Sequence, residues 1–449
     1  MEAKKQPTFT KKEKNWILYD VANSAYVLLA TALLTFYRDF VSPTGNLTTV
    51  WGLTNVIVAI ISVILCPILG TLADFSKKKA FFIAFAAIGI IGCGILSFFS
   101  LLTRWAIAGI LFLVVYIITQ VGHSSALVFY DSMLSDVTTD EKMHKVSANG
   151  YAWGYIGSCI PFIVCLVLYV LGDMIIVEKG IAGEVLDKPF LGTAFSLCCL
   201  ITAAWWLIFT LPLYKSYEQL HFLPKPEKPI RATFKRLGSL FKELSKNKKA
   251  LVFLFAFFFY IDGVHTIITM AMSIGSDLNF ENFGAVKLVI ALFITQLVAC
   301  PFAIWFGKLA SKYPCERMLI INIVAYFCIG VFAVFLRQEW QFWAMAVGVG
   351  MFQGGIQAMS RSYFTKIIPA EKSGEFFGIY DIFGKSAAIV GTGLISLLCI
   401  FFPLAEGTWI NIALLPLPTL FLIGLILFLV SIKIPQSKEG ESSNDESKQ

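Results

Sequence analysis

The chain carries repeated apolar runs of about twenty residues, and these limit its fold more than any other feature. Hydrophobic residues make up 57% of the 449 residues and charged residues only 14%, so a soluble domain could not bury the apolar surface. A helix of about twenty residues crosses a bilayer core, whereas a barrel strand is about half as long. We therefore predict an all-α integral membrane protein with twelve transmembrane helices. The runs lie near residues 15–37, 50–72, 80–102, 106–130, 149–171, 191–213, 250–275, 286–306, 318–336, 341–360, 376–402 and 409–432.

Lysine and arginine are unevenly distributed among the gaps between the runs. Even-numbered gaps and the two tails hold 29 of the 36 basic residues. Because basic residues accumulate on the cytoplasmic side of a membrane, this bias predicts that both termini are cytoplasmic. It also accounts for the net charge of +7 without a nucleic-acid partner. In a bacterial cell the chain would be a multi-pass protein of the plasma (inner) membrane.

The longest polar interruption, residues 215–249, separates two groups of six runs. It carries ten basic residues, and apolar side chains between Phe234 and Leu244 recur at helical spacing, which predicts an amphipathic helix on the membrane surface. The residues from Gln436 onward are rich in Ser, Glu and Lys, as is typical of a disordered tail. The predicted units are a cytoplasmic tail (1–14), a first six-helix half (15–214), a basic loop (215–249), a second half (250–432) and a C-terminal tail (433–449).

The two halves repeat each other. Asp20 in the first run is followed by Asn23, Ser24 and Thr31 at offsets of 3, 4 and 11 residues, and Asp262 in the seventh run is followed by polar residues at the same offsets. At about 100° per residue, each set forms one polar stripe along its helix. Parallel repeats of this kind place the substrate site at the interface between the halves.

A polar segment joins the second and third runs. It begins at Gly70 and contains Asp74, Lys77 and Lys78. The glycine permits close helix approach, the carboxylate suits a helix N-terminus, and the lysines are expected to anchor in the cytoplasmic headgroups. This combination predicts a hinge between moving helices. A copy at 307–312 has serine where Asp74 stands, so we expect the first half to carry the stronger contact.

Ionisable groups inside a bilayer are costly, so those within a run are candidates for function. Asp262 lies about 18 Å along its helix, near the middle of the membrane. A desolvated carboxylate takes up a proton readily, and His265, one turn later, would share or tune that proton. Asp262 is therefore our candidate for proton coupling. The alternative is a structural hydrogen bond within the helix bundle.

Four further residues are candidates for the site, and two of them, Asp20 and Lys385, have two interpretations. Asp20 either belongs to the substrate site or favours the N-terminus of its own helix. Asn23 and Ser24 lie deeper on the same stripe and are expected to line the cavity. Lys385 either pairs with Asp381, four residues earlier, or binds an anionic group of the substrate.

Amide side chains occupy corresponding positions in the fourth and tenth runs. Gln120 and Gln353 suit a polar solute such as an amino acid or a sugar, or else they hydrogen-bond one helix to another. At the inner ends of these runs, Asp131 and Arg361 lie near the same side of the membrane. We predict that they form a cytoplasmic gate pair. The sequence shows no metal-ligand spacing, nucleophile motif or phosphate-binding loop, so we expect no cofactor and no enzymatic activity.

The twelve runs, the long central loop and the Gly70…Asp74…Lys78 segment together resemble the major facilitator superfamily over nearly the whole chain. That family usually has arginine directly after the aspartate and glycine three residues after it, where this chain has Phe75 and Lys77. The resemblance implies that Asp74 stabilises the outward-facing state by interacting with span 11. The contacts of the missing arginine do not transfer.

The segment from Trp16 to Tyr26, which includes Asp20, Asn23 and Ser24, resembles a branch of that superfamily. This branch contains the fungal vacuole effluxer linked to autophagy and its bacterial relatives, and its fungal members are associated with amino-acid export from the vacuole. The fourth run lacks the arginine common in proton-coupled drug exporters, and the fifth keeps only a remnant of the antiporter glycine–proline signature. Both departures argue against a drug/proton antiporter.

These features predict a monomeric secondary active transporter that moves a small polar solute across the lipid bilayer by alternating access. Amino acids are the favoured substrate class, and coupling to protons or sodium is expected. Two alternatives stay open. One is a multidrug or other metabolite exporter, and the less favoured one is a transport-dead membrane receptor or scaffold.

Overall fold

The structure, a computed structural model, describes residues 9–36, 47–75, 77–101, 107–178, 189–224, 244–277, 285–401 and 411–435. Every regular element within these ranges is helical. The helices of the first half are α1 (Lys11–Phe36), α2 (Leu47–Ala73), α3 (Lys78–Leu96), α4 (Ala108–Ser132), the short α5 (Leu134–Val137), α6 (Met143–Glu178) and α7 (Pro189–Ser216). Those of the second half are α8 (Lys248–Asp277), α9 (Ala285–Ala310), α10 (Cys315–Val334), α11 (Glu339–Ile367), α12 (Ser373–Phe401) and α13 (Pro416–Lys433).

The surface of the helices requires a lipid environment. Among the described residues, eight helices are long and apolar enough to cross a membrane. Their outer faces, and that of α2, expose large aliphatic side chains such as Ile64 (61% exposed), Ile91 (61%) and Ile110 (65%). Lipid chains accept such a surface, whereas in water it would drive aggregation. Helix α11 is less apolar than these eight helices, because it carries polar residues that include Gln353 and Arg361.

The buried apolar side chains form two cores. One is built from residues between Trp16 and Tyr217, where α1 packs on α6 and α7, and α3 packs on α4 and α7. The other lies mainly between Leu244 and Phe428, where α8 packs on α12 and α13, and α9 and α10 pack on α11. Each half therefore buries most of its apolar surface within itself.

Contacts between the halves join α6 to α9 and α11, and α2 to α12. The closest of them lie at the end of the bundle where the segments 74–78, 133–142, 217–224, 311–314 and 368–372 connect the helices. We call this the basic end, because lysines cluster on these segments and on the adjoining helix termini.

Some predicted features fall wholly or largely outside the described residues. The amphipathic helix of the central loop lies there except for Leu244, which is buried, and so does the tail from residue 436 onward. Helix α1 begins at Lys11, four residues before the predicted start of the first run. The unit boundaries stay predictions.

Candidate functional site

Arg361 joins the two halves at the basic end. Its guanidinium is buried, and Nη1 donates to Oδ1 of Asp131 at 3.0 Å while Nη2 donates to Oδ2 of Asp20 at 3.4 Å. Nε donates to the hydroxyl of Ser147 at 3.0 Å, and Nη2 also donates to the Ser147 carbonyl at 3.0 Å. The arginine belongs to α11, and its partners belong to α1, α4 and α6 of the other half.

Aromatic rings enclose this arginine. The guanidinium carbon lies 4.3 Å from the centroid of the Tyr151 ring and 4.7 Å from that of Trp16. Trp16 stacks on Tyr130 at 4.4 Å, and the Tyr130 hydroxyl donates to Oδ2 of Asp20 at 2.6 Å. Cation–π contacts gain strength when water is excluded, so the rings both hold the cation and seal it from solvent. We name Arg361, its polar partners Asp20, Asp131 and Ser147, and the rings of Trp16, Tyr130 and Tyr151 the Arg361 cluster.

The charges of the Arg361 cluster do not balance when both acids are ionised. Two carboxylates, Asp20 and Asp131, face one guanidinium. The predicted gate pair, Asp131 and Arg361, is thus in hydrogen-bond contact, although its role as a gate stays a prediction. Sequence reasoning left Asp20 undecided and missed Ser147 and the tyrosines, because neither residue type stands out among ordinary helix residues.

Asp74 lies at the N-terminus of a helix from the other half. Its Oδ1 accepts from the backbone N–H of Gly374 at 3.0 Å, and its Oδ2 accepts from that of Glu375 at 2.9 Å. These groups belong to the first turn of α12, where backbone N–H groups have no partner in their own helix. Asp74 is fully buried, so this charge-assisted contact is shielded from solvent.

Lys78 does not anchor in the lipid headgroups, although the sequence led us to expect it. Its side chain is fully buried and does not reach the headgroups; Nζ lies 3.6 Å from Asp74 Oδ1 and 3.5 Å from Asp136 Oδ2, and donates to the Ser373 hydroxyl at 2.7 Å. A buried ammonium requires such partners, and here they come from both halves. Lys77 is exposed, as the headgroup expectation requires.

Asp136, which sequence reasoning missed, ties the start of the central loop to this contact. Its Oδ1 accepts from the backbone N–H of His221 at 2.9 Å and from the His221 ring at 3.0 Å, and its Oδ2 accepts from the Tyr217 hydroxyl at 2.6 Å. Burial alone would raise the pKa of Asp136, but the hydrogen bonds from His221 and the charge of Lys78 outweigh it and lower that pKa. The hydrogen bond to Asp136 raises the pKa of His221.

Two glycines let the halves approach closely beside these contacts. A Cβ added at Gly70 of α2 would lie 2.3 Å from the carbonyl oxygen of Gly374 in α12. A Cβ added at Gly307 of α9 would lie 2.5 Å from the Cβ of Ala148 in α6. The two copies of the hinge segment thus make corresponding interhalf contacts. Among the described residues, the hydroxyl of Ser311, which stands in the position of Asp74, donates only to the Gly307 carbonyl of its own half.

Asp262 lies apart from the Arg361 cluster, inside the second half. It is fully buried, and its Oδ1 accepts from the backbone N–H of Gly391 at 2.9 Å and from the Thr266 hydroxyl at 3.3 Å. Its Oδ2 has no hydrogen-bond partner among the described residues. His265 is half-buried one turn away.

The remaining predicted site residues are dispersed. Asn23 is buried and donates to the Tyr19 carbonyl and to Asp20, whereas Ser24 is half-buried. Gln120 is half-buried and donates to the Tyr116 hydroxyl of its own helix. The side-chain amide oxygen of Gln353 is buried and has no hydrogen-bond partner in the described ranges. Lys385 lies on α12, and its side chain is outside what the structure describes.

The arrangement of the helices matches solved membrane transporters. The fucose transporter FucP in its outward conformation superposes with a TM-score of 0.71 at 12% identity, covering 94% of this chain and 97% of FucP. A bacterial homologue of the iron transporter ferroportin in its outward-facing state gives 0.67 at 12% identity, covering 94% and 99%. At such low identity the likeness establishes the fold alone. The chain has the major facilitator fold of multi-pass membrane transporters.

Sequence comparison identifies the branch. The family model described as "Vacuole effluxer Atg22 like" matches residues 37–440, so the chain belongs to this family. An uncharacterized MFS-type transporter of Bacillus subtilis, YxiO, is 41% identical over 395 residues, which cover 86% of this chain and 88% of YxiO. Autophagy-related protein 22-1 of Aspergillus niger is 22% identical over 62% of this chain, a match that spans about half (47%) of the fungal protein.

Proposed function

We propose that this major facilitator protein is a secondary active transporter that moves a small polar solute by alternating access. Amino acids are the favoured class, and protons or sodium are the expected coupling ions. The family membership and the fold support transport. The resemblance of the Trp16–Tyr26 segment to a branch whose fungal members are associated with amino-acid export supports the substrate class. A monomer suffices, because each half supplies one side of the interhalf interface.

The Arg361 cluster is the observation that carries this proposal. A buried arginine of one half is fastened to two carboxylates of the other at a single end of the bundle, as a closed gate requires. Removing one partner of a buried ion pair costs about 3–5 kcal/mol, because the other charge is left without compensation. Moving a two-state equilibrium from one side to the other takes about 5.5 kcal/mol of differential binding, which substrate and coupling ion together would supply to open such a gate.

The membrane topology is part of the same proposal. Every predicted run overlaps a long helix, which supports twelve spans. The lysines at the basic end support a cytoplasmic location for that end and for both termini. The Arg361 cluster and the Asp74 contact would then form the cytoplasmic gate and hinge, and the conformation would be outward-facing.

Asp262 is the proposed proton site, because one of its buried oxygens has no hydrogen-bond partner among the described residues. Gln353, His265 and Lys385 are the proposed substrate contacts, with Gln120 and Ser24 across the interface. Asn23, which donates to Asp20, is a further proposed cavity-lining residue.

Uptake by reconstituted protein tests the proposal. Purified protein in proteoliposomes is given labelled amino acids with and without an inward-directed proton gradient. We expect the gradient to increase uptake. Arg361→Met should abolish uptake. Gly393→Ala is the control, because a Cβ at Gly393 meets no described atom within 4 Å.

Three outcomes decide among the candidate functions. Saturable uptake of an amino acid that Arg361→Met removes and Gly393→Ala keeps supports the proposal. Transport of lipophilic cations instead indicates a multidrug exporter. Failure to transport, exchange or bind any solute across a broad metabolite panel contradicts a transport function.

A further inference from the structure

A pocket at the basic end concentrates lysines that neither the gate nor the hinge uses. It has a volume of about 810 Å³ and lies between α6 of the first half and α8, α9, α10 and α11 of the second. Two glutamates, Glu141 and Glu316, also line it. Its lysines are Lys142, Lys145, Lys249, Lys308, Lys312 and Lys366.

Three helices begin at this pocket. The N-termini of α6, α8 and α10, at Met143, Lys248 and Cys315, place the positive ends of their dipoles there. The first turns of α6 and α8 contain no acidic residue, and Lys145 and Lys249 stand in them instead. A helix N-terminus carries a partial positive charge, so lysines there are unfavourable unless an anion binds, and such termini commonly bind anions. The general bias of lysines toward one membrane face does not explain why they converge with three helix N-termini.

Aromatic side chains place the pocket at the level of the lipid headgroups. Trp305 of α9, one turn before Lys308, is 51% exposed, and Tyr313, on the wall of the pocket, is also 51% exposed. Exposed tryptophan and tyrosine concentrate at the membrane–water interface. An anion at this depth, beside the lipid-facing surface of α9, is most readily supplied by a lipid.

We propose that this pocket binds the phosphate headgroup of an anionic phospholipid. Lys142 belongs to the segment before α6 of the first half, whereas Lys308 and Lys312 belong to the end of α9 in the second half and the segment after it. None of these three lysines forms an ion pair with another described residue. A headgroup between them bridges the halves and stabilises the closed basic end. The proposal does not depend on the identity of the transported solute.

The test measures ligand-dependent thermal stability of the full chain in detergent. Short-chain phosphatidylglycerol, phosphatidylcholine with the same acyl chains, and inorganic phosphate are titrated separately. Binding to the folded state raises the melting temperature. We expect a saturable rise with phosphatidylglycerol and none with the other two compounds.

Matched lysine variants locate the binding. Each lysine near an anionic lipid contributes about fivefold in affinity, so Lys142→Gln combined with Lys308→Gln and Lys312→Gln should weaken phosphatidylglycerol binding at least tenfold. Lys308 and Lys312 are exposed and Lys142 is half-buried, so the variant should fold. The control, Lys11→Gln with Lys12→Gln and Lys215→Gln, removes the same charge from a groove formed by α1 and α7 of the first half alone.

Each result decides the proposal. Weakening confined to the pocket variant supports it. Equal weakening in both variants shows diffuse attraction and overturns it, as does a response to phosphatidylcholine equal to that for phosphatidylglycerol. Inorganic phosphate that stabilises the protein as strongly as the lipid shows a site for a soluble anion and overturns the lipid assignment.

Discussion

Arg361 uses nearly all of its bonding capacity within one cluster. Three guanidinium nitrogens donate to Asp131, Asp20 and Ser147, and the faces of the group lie against aromatic rings. Only a planar, forked cation fits such surroundings, whereas an ammonium would bond to one acid and leave the rings unstacked. The cluster therefore requires arginine rather than any positive charge.

We expect Arg361→Met to destabilise the protein by about 3–5 kcal/mol, because it leaves the buried Asp20 and the half-buried Asp131 without their cation. Thermal unfolding of the purified protein measures the loss. Arg361→Lys should recover only part of it, since the charge remains but the fork and the stacking do not. Adding Asp20→Asn and Asp131→Asn to Arg361→Met should restore stability, because no uncompensated charge is left. A triple variant as unstable as Arg361→Met would show that packing rather than charge pairing holds this site.

The pair of Asp136 and His221 predicts a pH-dependent attachment of residues 217–224. The raised pKa of His221 gives stability that is complete below its ordinary value of 6.5 and is lost as the pH rises through the folded-state pKa. The lowered pKa of Asp136 gives stability that is complete above 3.8 and is lost as the pH falls through its folded-state pKa. Both contributions are complete between pH 3.8 and 6.5.

Hydrogen exchange of the backbone amides of Leu220 and His221, corrected for intrinsic rates, measures this attachment. Protection should fall as the pH rises through the His221 titration, and modestly, because the histidine side chain is 39% exposed. His221→Gln should abolish the fall and keep protection at the level that the wild type reaches at high pH. A wild-type profile that does not change with pH would contradict the assignment.

At the scale of helices, Gly70 and Gly307 let the two halves pack closely at the basic end. Gly70→Ala places a methyl group against the Gly374 carbonyl and should cost about 1–3 kcal/mol as overpacking in the closed state. Gly393→Ala on α12 should be neutral or stabilising by up to about 1 kcal/mol, because it adds helix propensity in open space. Labelling of single cysteines at the basic end should increase in Gly70→Ala and stay constant in Gly393→Ala. Unchanged labelling in Gly70→Ala would show that α2 and α12 need not touch for closure.

Sequence reasoning predicted the elements better than their contacts. Apolar periodicity indicated a helical membrane protein, and the resemblance to the major facilitator superfamily implied that Asp74 contacts the eleventh span, which is α12. The burial of Lys78 could not be predicted, since its partner Asp136 comes from another loop and Ser373 from the other half. The hydrogen bonds between Asp136 and residues 217–224 could not be predicted either, because a charged residue in a polar gap is usually exposed to solvent.

For the molecule as a whole, the repeat gives each half an aspartate in the same helical position with different surroundings. Asp20 and Asp262 each face a glycine on the fifth long helix of their own half, Gly150 and Gly391. Asp20 also meets Arg361 of the opposite half, whereas Asp262 stays within its own. The two halves thus hold corresponding carboxylates, and of the two only Asp20 bonds to Arg361 among the described residues.

This asymmetry predicts different phenotypes for the same isosteric change. Asp262→Asn should keep the melting temperature of the wild type, since its amide oxygen can still accept from Gly391, but uptake should no longer respond to a pH gradient. Asp20→Asn should keep the gradient response, while cysteine labelling at the basic end increases because Arg361 has lost one of its two acids. Proteoliposome uptake at matched and unequal pH, with labelling of the same variants, measures both. Loss of the gradient response in Asp20→Asn but not in Asp262→Asn would move the proton site to the Arg361 cluster.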